Sequence, residues 1–238
     1  MRIIAFMKIL IVNGQNHKGN TWNIGSRLVE KISCPKEITE FFLPKDLKEF
    51  CTGCCACLKD AAKCPYWDKK QPFFKAMDEA DLIILTSPNY CMMPSAAMKS
   101  FLDLFFTNWM SHKPLESMFS KKAVVICTAA GSGAAKSAKL IGGNLANWGI
   151  PQITTFGINV NAFNWEQTPP KKQAKILKFV NKTARILSKE KPARVTLKTK
   201  FLFWMFGGMQ KANFGAAPEE KEYWQNKGWL SGVKPWKK

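Results

Sequence analysis

Acidic residues are scarce in this chain, because 17 Asp and Glu stand against 36 Lys and Arg and give a formal charge of +19 over 238 residues. That balance argues against an acidic, halophilic protein and keeps anionic partners open. Only two histidines are present, His17 and His112, and no Ser/His/Asp or Cys/His triad can be assembled for hydrolysis. No apolar run approaches the roughly 18 residues of a membrane span, so we expect no transmembrane segment.

The chain start and the cysteines indicate a compartment. The first seven residues hold one basic residue and a short apolar run without a small-residue cleavage site, so we expect no secretory signal and a cytoplasmic protein. Four of the eight cysteines form the pattern Cys51-x2-Cys54-x2-Cys57-x6-Cys64, with Cys55 inside it. In a cytoplasmic protein this clustering favours metal or redox chemistry over structural disulfides.

Hydrophobic patterning predicts an α/β fold. Five segments, three of them continuous apolar runs, read as strands: residues 8–13, 37–42, 81–86, 123–128 and 150–158. Segments with helical spacing alternate with them: residues 21–33, 72–80, 95–109, 134–148 and 169–188. Ser87-Pro88 is expected to end the third strand. The alternation predicts a parallel sheet covered on both faces, with ligands at the carboxyl ends of its strands.

The turn after the first strand, residues 14–21, suits a single phosphate. It has the spacing of a P-loop, but Asn20 replaces the lysine that contacts β- and γ-phosphates, so a nucleoside triphosphate fits poorly. It is not a G-x-G-x-x-G dinucleotide motif either. What remains is a loop of backbone N–H groups at a helix N-terminus. The alternative is an ordinary turn capped by Asn20 or Thr21.

Two further loops follow the third and fourth strands, at residues 87–94 and 128–133. All three loops are expected at one edge of the sheet. Glycines and proline-flanked turns let backbone approach a flat ring closely, and Tyr90 can stack on that ring or shield it. Together the loops outline a site for a planar cofactor that ends in one phosphate.

These motifs resemble the flavodoxin-like NAD(P)H-dependent FMN reductase family. The pattern of G-S-x4-G-N-T, then S-P-x-Y before a helix with an early Lys and a Phe-x-Asp, then a Gly-rich fourth loop, is matched at residues 14–21, 87–90, 99–103 and 130–133. The resemblance covers roughly residues 7–190. Gln15 replaces the family's usual Ser, and His17 its common Arg.

The resemblance implies a doubly wound five-stranded parallel sheet of order 2-1-3-4-5 over residues 1–190, with a cysteine-rich insertion at 50–68. It implies non-covalent FMN, electrons taken from NAD(P)H and passed to a small-molecule acceptor such as a quinone or free flavin, and a homodimer or homotetramer. It also implies the following cofactor-binding residues: Gln15, Asn16, His17, Asn20, Thr21, Pro88, Asn89, Tyr90, Cys91, Ala130, Gly131 and Gly133.

The cysteine segment suggests a second function. Three thiolates on a tight turn with a fourth after a longer loop suit a cubane cluster. The segment resembles the compact motif of iron–sulfur flavoproteins, which implies a [4Fe–4S] cluster on Cys51, Cys54, Cys57 and Cys64 that relays electrons between a ferredoxin-type carrier and FMN. Zinc and a set of reduced thiols shielding the flavin are the alternatives.

Residues 191–238 form a basic, aromatic tail with ten Lys and Arg, three Glu, and nine of the chain's 29 aromatic residues. These aromatic residues are expected to dock on the core or on a partner subunit. A membrane interface and nucleic acid are alternatives. We favour a neighbouring subunit near the flavin and no nucleic acid, because Gly207-Gly208 interrupts any long amphipathic face.

Overall fold

The computed structural model describes residues 6–189, 193–215 and 217–237. Its main sheet is parallel with the strand order β2-β1-β3-β4-β5, and the α/β fold is confirmed. A two-residue strand, Met93–Pro94, pairs antiparallel with the end of β3 and was not predicted. The five main strands are β1 (Met7–Asn13), β2 (Lys36–Phe42), β3 (Leu82–Tyr90), β4 (Lys122–Ala129) and β5 (Gln152–Asn159).

Helices connect these strands and extend beyond the last one. No helix within the described part of the chain is both long and apolar enough to cross a membrane. The helices are α1 (Asn20–Lys31), α2 (Ala56–Lys59), α3 (Trp67–Glu79), α4 (Ala96–Leu104), α5 (Ala134–Asn147), α6 (Pro170–Leu187), α7 (Leu197–Lys211) and α8 (Pro218–Asn226).

The two faces of the sheet carry separate apolar cores. Successive side chains of a strand point to opposite faces, so Ile9 and Ile11 pack with α1 and α6, while Leu10 and Val12 pack with α3, α4 and α5. Both faces of β1, β3 and β4 are therefore covered. This burial explains the continuous apolar runs from which these three strands were predicted.

The end of β3 differs from the prediction. The strand does not stop at Ser87-Pro88 but continues to Tyr90. Pro88 is in register with Thr128 of β4, and Tyr90 then pairs with Met93. Proline has no N–H and is tolerated in a strand at a position where no donor is needed. Its carbonyl can still accept, and the carbonyl of Pro88 accepts a hydrogen bond from the N–H of Ser95.

Two helix boundaries also differ from the prediction. α3 begins at Trp67, so that Pro72 lies inside the helix. The N–H groups of Lys69 and Lys70 both bond to the carbonyl of Tyr66 and form the first turn before the proline. α4 ends at Leu104, because the next residue leaves the helical region, and a 3-10 turn, Phe106–Asn108, replaces the predicted last turn.

The tail packs on the body of the same chain. Phe203, Trp224 and Trp229 form a buried cluster with Met110 and Phe119, which belong to the segment between α4 and β4. This placement differs from the favoured expectation of docking on a neighbouring subunit. The boundary proposed at residues 190 and 191 lies outside the described residues.

Polar bonds fix the tail at this position. The indole N–H of Trp224 donates to the carbonyl of His112 at 2.8 Å, and the hydroxyl of Tyr223 donates to the carbonyl of Pro114 at 2.7 Å. Glu220, which is fully buried, pairs with the imidazole of His112. Aromatic burial and these bonds together make the tail part of the folded structure.

A pair of tryptophan substitutions tests this packing. Trp224 is fully buried, so Trp224→Ala removes its ring contacts and its hydrogen bond and should lower the free energy of unfolding by about 3–5 kcal/mol. Trp204 is 70% exposed, and Trp204→Ala should change that free energy by less than about 0.5 kcal/mol. Urea unfolding measures both. Similar losses in the two variants would contradict the arrangement described for the tail.

Candidate functional site

Three loops meet at the carboxyl edge of the sheet. The N–H of Gly14, just after β1, donates to the carbonyl of Thr86 in β3 at 2.6 Å. The hydroxyl of Ser95, the N-cap of α4, donates to the carbonyl of Gly14 at 2.6 Å. The amide of Asn89 donates to the carbonyl of Ser132, after β4, at 2.9 Å. These bonds join the three sequence-predicted loops into one rim.

The loop after β1 ends in a helix without a side-chain cap. α1 begins at Asn20, and its N-cap is Gly19. The Asn20 amide instead donates to the carbonyl of Ala162 at 3.0 Å, and the Thr21 hydroxyl bonds to the hydroxyl of Thr128 at 2.5 Å. The alternative of an ordinary turn capped by Asn20 or Thr21 is therefore wrong, and the first N–H groups of α1 keep their capacity to bind an anion.

Asn20 carries a further sign of a binding site. Its side-chain Oδ1 is buried and has no hydrogen-bond partner among the described residues. A buried polar atom without a partner is costly, and a ligand hydroxyl would satisfy it. Gln15 is buried and donates to the carbonyl of His17 at 3.0 Å, whereas Asn16 and His17 are exposed at the loop tip.

The loop after β3 is a tight hairpin with unusual backbone. Cys91 and Met92 have φ angles of 49° and 66°, while Tyr90 and Met93 on either side of them are paired. Two consecutive positive φ angles match a type I′ turn, which normally takes Asn and Gly. The turn holds the side chains of Tyr90, Met92 and Met93 exposed, at 45–55%. This strained turn presents an apolar surface against which a flat ring can lie.

The loop after β4 requires glycine at residue 133. Gly133 has a φ of +89°, and a Cβ atom there would lie 2.9 Å from the amide of Asn89 and from Sδ of Met92. Gly131 instead faces open space, and Ala130 is exposed beside it. Asn89 uses both ends of its amide within the protein, because its Oδ1 also accepts from Ser137 at 2.6 Å. The Asn89 side chain therefore joins the loop after β3 to the loop after β4 and to α5, and Pro88 before it is buried.

A basic cleft opens next to Gly133. It has a volume of about 340 Å³ and is lined by Lys136 of α5, Lys172 and Lys175 of α6, and Asn159. Within the described residues these three lysines form no ion pair. The cleft was not predicted from the sequence, since Lys136 is far from Lys172 and Lys175 along the chain and the two helices appear there as separate surfaces.

The five clustered cysteines line one hollow. Cys51, Cys54, Cys55, Cys57 and Cys64 surround it together with Lys70, Leu104 and Phe106. The hollow therefore lies at the end of α4, whereas the flavin loops lie at its beginning. All five thiols are free, and among the described residues no three metal-binding side chains are already arranged around a metal position.

Lys70 places a positive charge beside the thiols of this hollow. It is only 3% exposed, its ammonium lies 3.7 Å from Sγ of Cys64, and it has no carboxylate partner within the described chain. Burial raises the pKa of the Cys57 thiol, and the charge of Lys70 opposes that rise. A buried cation without a counter-charge suits a thiolate-bound, negatively charged group. Lys70 was not identified from the sequence.

Comparison with known proteins places the chain in a family. A family described as NADPH-dependent FMN reductase matches residues 7–161. An iron–sulfur flavoprotein of Methanocaldococcus jannaschii is 37% identical over 100 residues, which cover 41% of this chain and 51% of that protein. An iron–sulfur flavoprotein from Archaeoglobus fulgidus is 24% identical over 203 residues, which cover 82% of this chain and 86% of that protein. Another iron–sulfur flavoprotein from Archaeoglobus fulgidus is 32% identical over 99 residues. In two of these three cases the chain spans about half the length of the relative that it matches.

Solved structures support the fold. An FMN-dependent NADH-azoreductase from Bacillus anthracis in complex with FMN has a TM-score of 0.61 at 13% identity, covering 76% of this chain and 99% of that one. An NAD(P)H:quinone oxidoreductase from Methanothermobacter marburgensis has a TM-score of 0.61 at 14% identity, covering 81% and 100%. The family expected from the sequence motifs is confirmed. The chain belongs to the NADPH-dependent FMN reductase family.

Proposed function

We propose that this chain holds FMN at the three-loop rim and uses it to pass electrons from NAD(P)H to a small-molecule acceptor such as a quinone or free flavin. The observation that carries the proposal is the uncapped start of α1 beside the unpartnered Oδ1 of Asn20. When bound, the flavin supplies hydride acceptance and onward electron transfer. The protein supplies binding, orientation and exclusion of water.

Each part of the rim has a separate task. The first turn of α1 would hold the FMN phosphate through backbone N–H groups, and the Oδ1 of Asn20 would accept from a ribityl hydroxyl. The strained turn at Cys91 and Met92 and the glycine loop after β4 would bound the ring on two sides. No general acid or base is needed for this chemistry, which agrees with the absence of a triad in the sequence.

The basic cleft offers a place for the phosphates of the nicotinamide donor. Lys136, Lys172 and Lys175 lie beside Gly133, so a polyphosphate bound there would be next to the glycine loop at the flavin edge. Lysines bind phosphate as point charges and do not require a fixed angle. This placement supports a phosphate-bearing reductant rather than an uncharged one.

Anaerobic reduction tests the reductase role. Protein saturated with FMN should show the two visible bands of oxidised flavin. Stoichiometric NADH or NADPH should bleach these bands, because the nicotinamide and the flavin would meet at the same rim. Dithionite provides the control for a reducible flavin. Bleaching by dithionite but by neither nucleotide would contradict the reductase role and leave FMN binding standing.

The phosphate loop is tested by a double substitution. Asn20→Ala with Thr21→Ala removes the bonds that fix the start of α1 and the acceptor proposed for a ribityl hydroxyl. A ligand hydroxyl left without its partner costs about 1–3 kcal/mol, so FMN affinity should fall by about tenfold or more. Ser26→Ala on the same helix, where the hydroxyl donates to Glu30 at 3.1 Å, is the control and should leave affinity unchanged. Flavin fluorescence titration measures all three proteins. Equal affinity in the double variant and the wild type would contradict the placement of FMN against the start of α1.

A second candidate function is electron relay through an iron–sulfur cluster. The relatives named as iron–sulfur flavoproteins and the hollow lined by five cysteines around Lys70 favour it. Four thiolates from Cys51, Cys54, Cys57 and Cys64 would hold the cluster, and Lys70 would offset part of its charge. A ferredoxin-type carrier is then the partner. Zinc or free thiols are the remaining occupancies.

Cys55 provides a matched control for the cluster. Its backbone is in the left-handed region at φ 57°, and its thiol donates to the carbonyl of Gly53 at 3.4 Å rather than serving the predicted ligand set. Iron analysis of anaerobically prepared protein should therefore show iron in the wild type and in Cys55→Ser, and none in Cys54→Ser. Wild-type protein without iron would remove the cluster and leave the reductase proposal intact.

A further inference from the structure

Helix α7 has two apolar faces, and only one of them is used in packing. Phe203 is buried in the aromatic cluster on the inner face, with Thr199 and Gln210 buried above and below it. Leu197, Phe201 and Trp204 lie on the opposite face and are 83%, 58% and 70% exposed. We call these last three residues the outer stripe. Their spacing of four and three residues places them in one line along the helix.

The outer stripe is held rigidly in this exposed position. Thr196 caps the start of α7 by accepting from the N–H of Thr199 at 3.1 Å, and the amide of Gln210 donates to the carbonyl of Ser111 at 2.8 Å. The helix continues through Gly207 and Gly208 to Lys211, so these glycines do not interrupt it. Because the inner face is fixed, the stripe cannot turn inward to bury itself.

The stretch of sequence that carries the stripe is basic. Between residues 194 and 218 the sequence contains Arg194, Lys198, Lys200 and Lys211 and no acidic residue. All four are exposed, and none forms an ion pair with another described residue. On a helix, Lys198 and Lys200 flank the line of the stripe on its two sides.

We propose that the outer stripe is a docking surface for an anionic lipid bilayer. A helix lying in the interface inserts its apolar side chains among the lipids, while flanking lysines extend to the headgroups and their negative charge. Trp204 and Phe201 are suited to the interfacial depth, and Leu197 adds aliphatic surface. The proposed role is peripheral attachment, and it does not depend on the proposed reductase activity.

The same features argue against the other occupants. A second copy docking through its own stripe would bring like charges together, because a two-fold interface places the same patch on both sides and each chain carries +19. A single-stranded nucleic acid would stack its bases on rings, but Leu197, the most exposed member, has no ring. A lipid surface satisfies both the apolar and the basic residues.

Vesicle co-sedimentation with the full-length protein tests the proposal. The protein should bind phosphatidylcholine vesicles containing phosphatidylglycerol, bind pure phosphatidylcholine weakly, and lose affinity as salt screens the lysines. Phe201→Ser with Trp204→Ser should weaken binding to anionic vesicles by about tenfold or more. The control is Leu177→Ser with Ile186→Ser, which removes two exposed apolar side chains from α6, itself a basic helix, and should leave binding unchanged.

A charge-matched pair separates a local surface from overall charge. Lys198→Ala with Lys200→Ala should weaken vesicle binding several-fold. Lys178→Ala with Lys182→Ala removes the same charge from exposed positions on α6 and should have little effect. Urea unfolding of every variant should match the wild type, since all the substituted side chains are exposed.

Three results would overturn the proposal. The first is no binding of the wild type to anionic vesicles at low salt. The second is an equal loss for the two lysine pairs, which would mean that net charge alone drives binding. The third is a stripe that serves another partner: Phe201→Ser with Trp204→Ser lowers the mass measured by light scattering, or abolishes binding to single-stranded RNA, while vesicle binding persists.

Discussion

Burial of the central strands on both faces is the constraint from which the rest of the structure follows. Ile9 and Leu10, adjacent in β1, enter different cores, and residues 82–85 of β3 are at most 1% exposed. A strand covered in this way can carry polar chemistry only where it leaves the sheet. Because all five main strands are parallel, they leave it at the same edge, and the three loops of the proposed FMN site are brought together there.

The last residues of these strands show how the transition is made. Thr86 is fully buried, and its hydroxyl donates to the amide oxygen of Asn13 at 2.8 Å. Thr128 at the end of β4 bonds to Thr21 of α1. Buried hydroxyls therefore link neighbouring strand ends to one another before the chain reaches the rim. This polar layer fixes the loops and with them the backbone N–H groups that we propose hold the FMN phosphate.

Sequence patterns predicted the features that depend on local rules. The continuous apolar runs of β1, β3 and β4 identified the sheet, and the loop ending in Asn20 and Thr21 was recognised as the turn that leads into α1. Features that depend on distant contacts were not predictable in this way. Lys70 becomes notable only because folding buries it among thiols, and the lysine cleft exists only because α5 and α6 are neighbours. The extension of β3 beyond Pro88 likewise required knowledge of its partner, Met93.

The tail is the clearest case in which tertiary packing changes the interpretation. Its aromatic content indicated docking, but nothing in the local sequence identified the segment around Met110 and Phe119 as the receiving surface. Lys113, in that same segment, donates to the carbonyl of Lys59 at the end of α2, which belongs to the cysteine segment. The tail therefore supports the surroundings of the cysteine hollow rather than the flavin rim.

This arrangement separates the two proposed redox positions within one chain. The flavin loops lie at the beginning of α4 and the cysteine hollow at its end, and nine helical residues at about 1.5 Å each place the two roughly 13 Å apart along the helix. Changes in the tail should consequently reach the cysteines first and the flavin only through α4. The outer stripe of α7 faces away from the aromatic cluster that makes this contact, so a surface bound there would leave both positions in place.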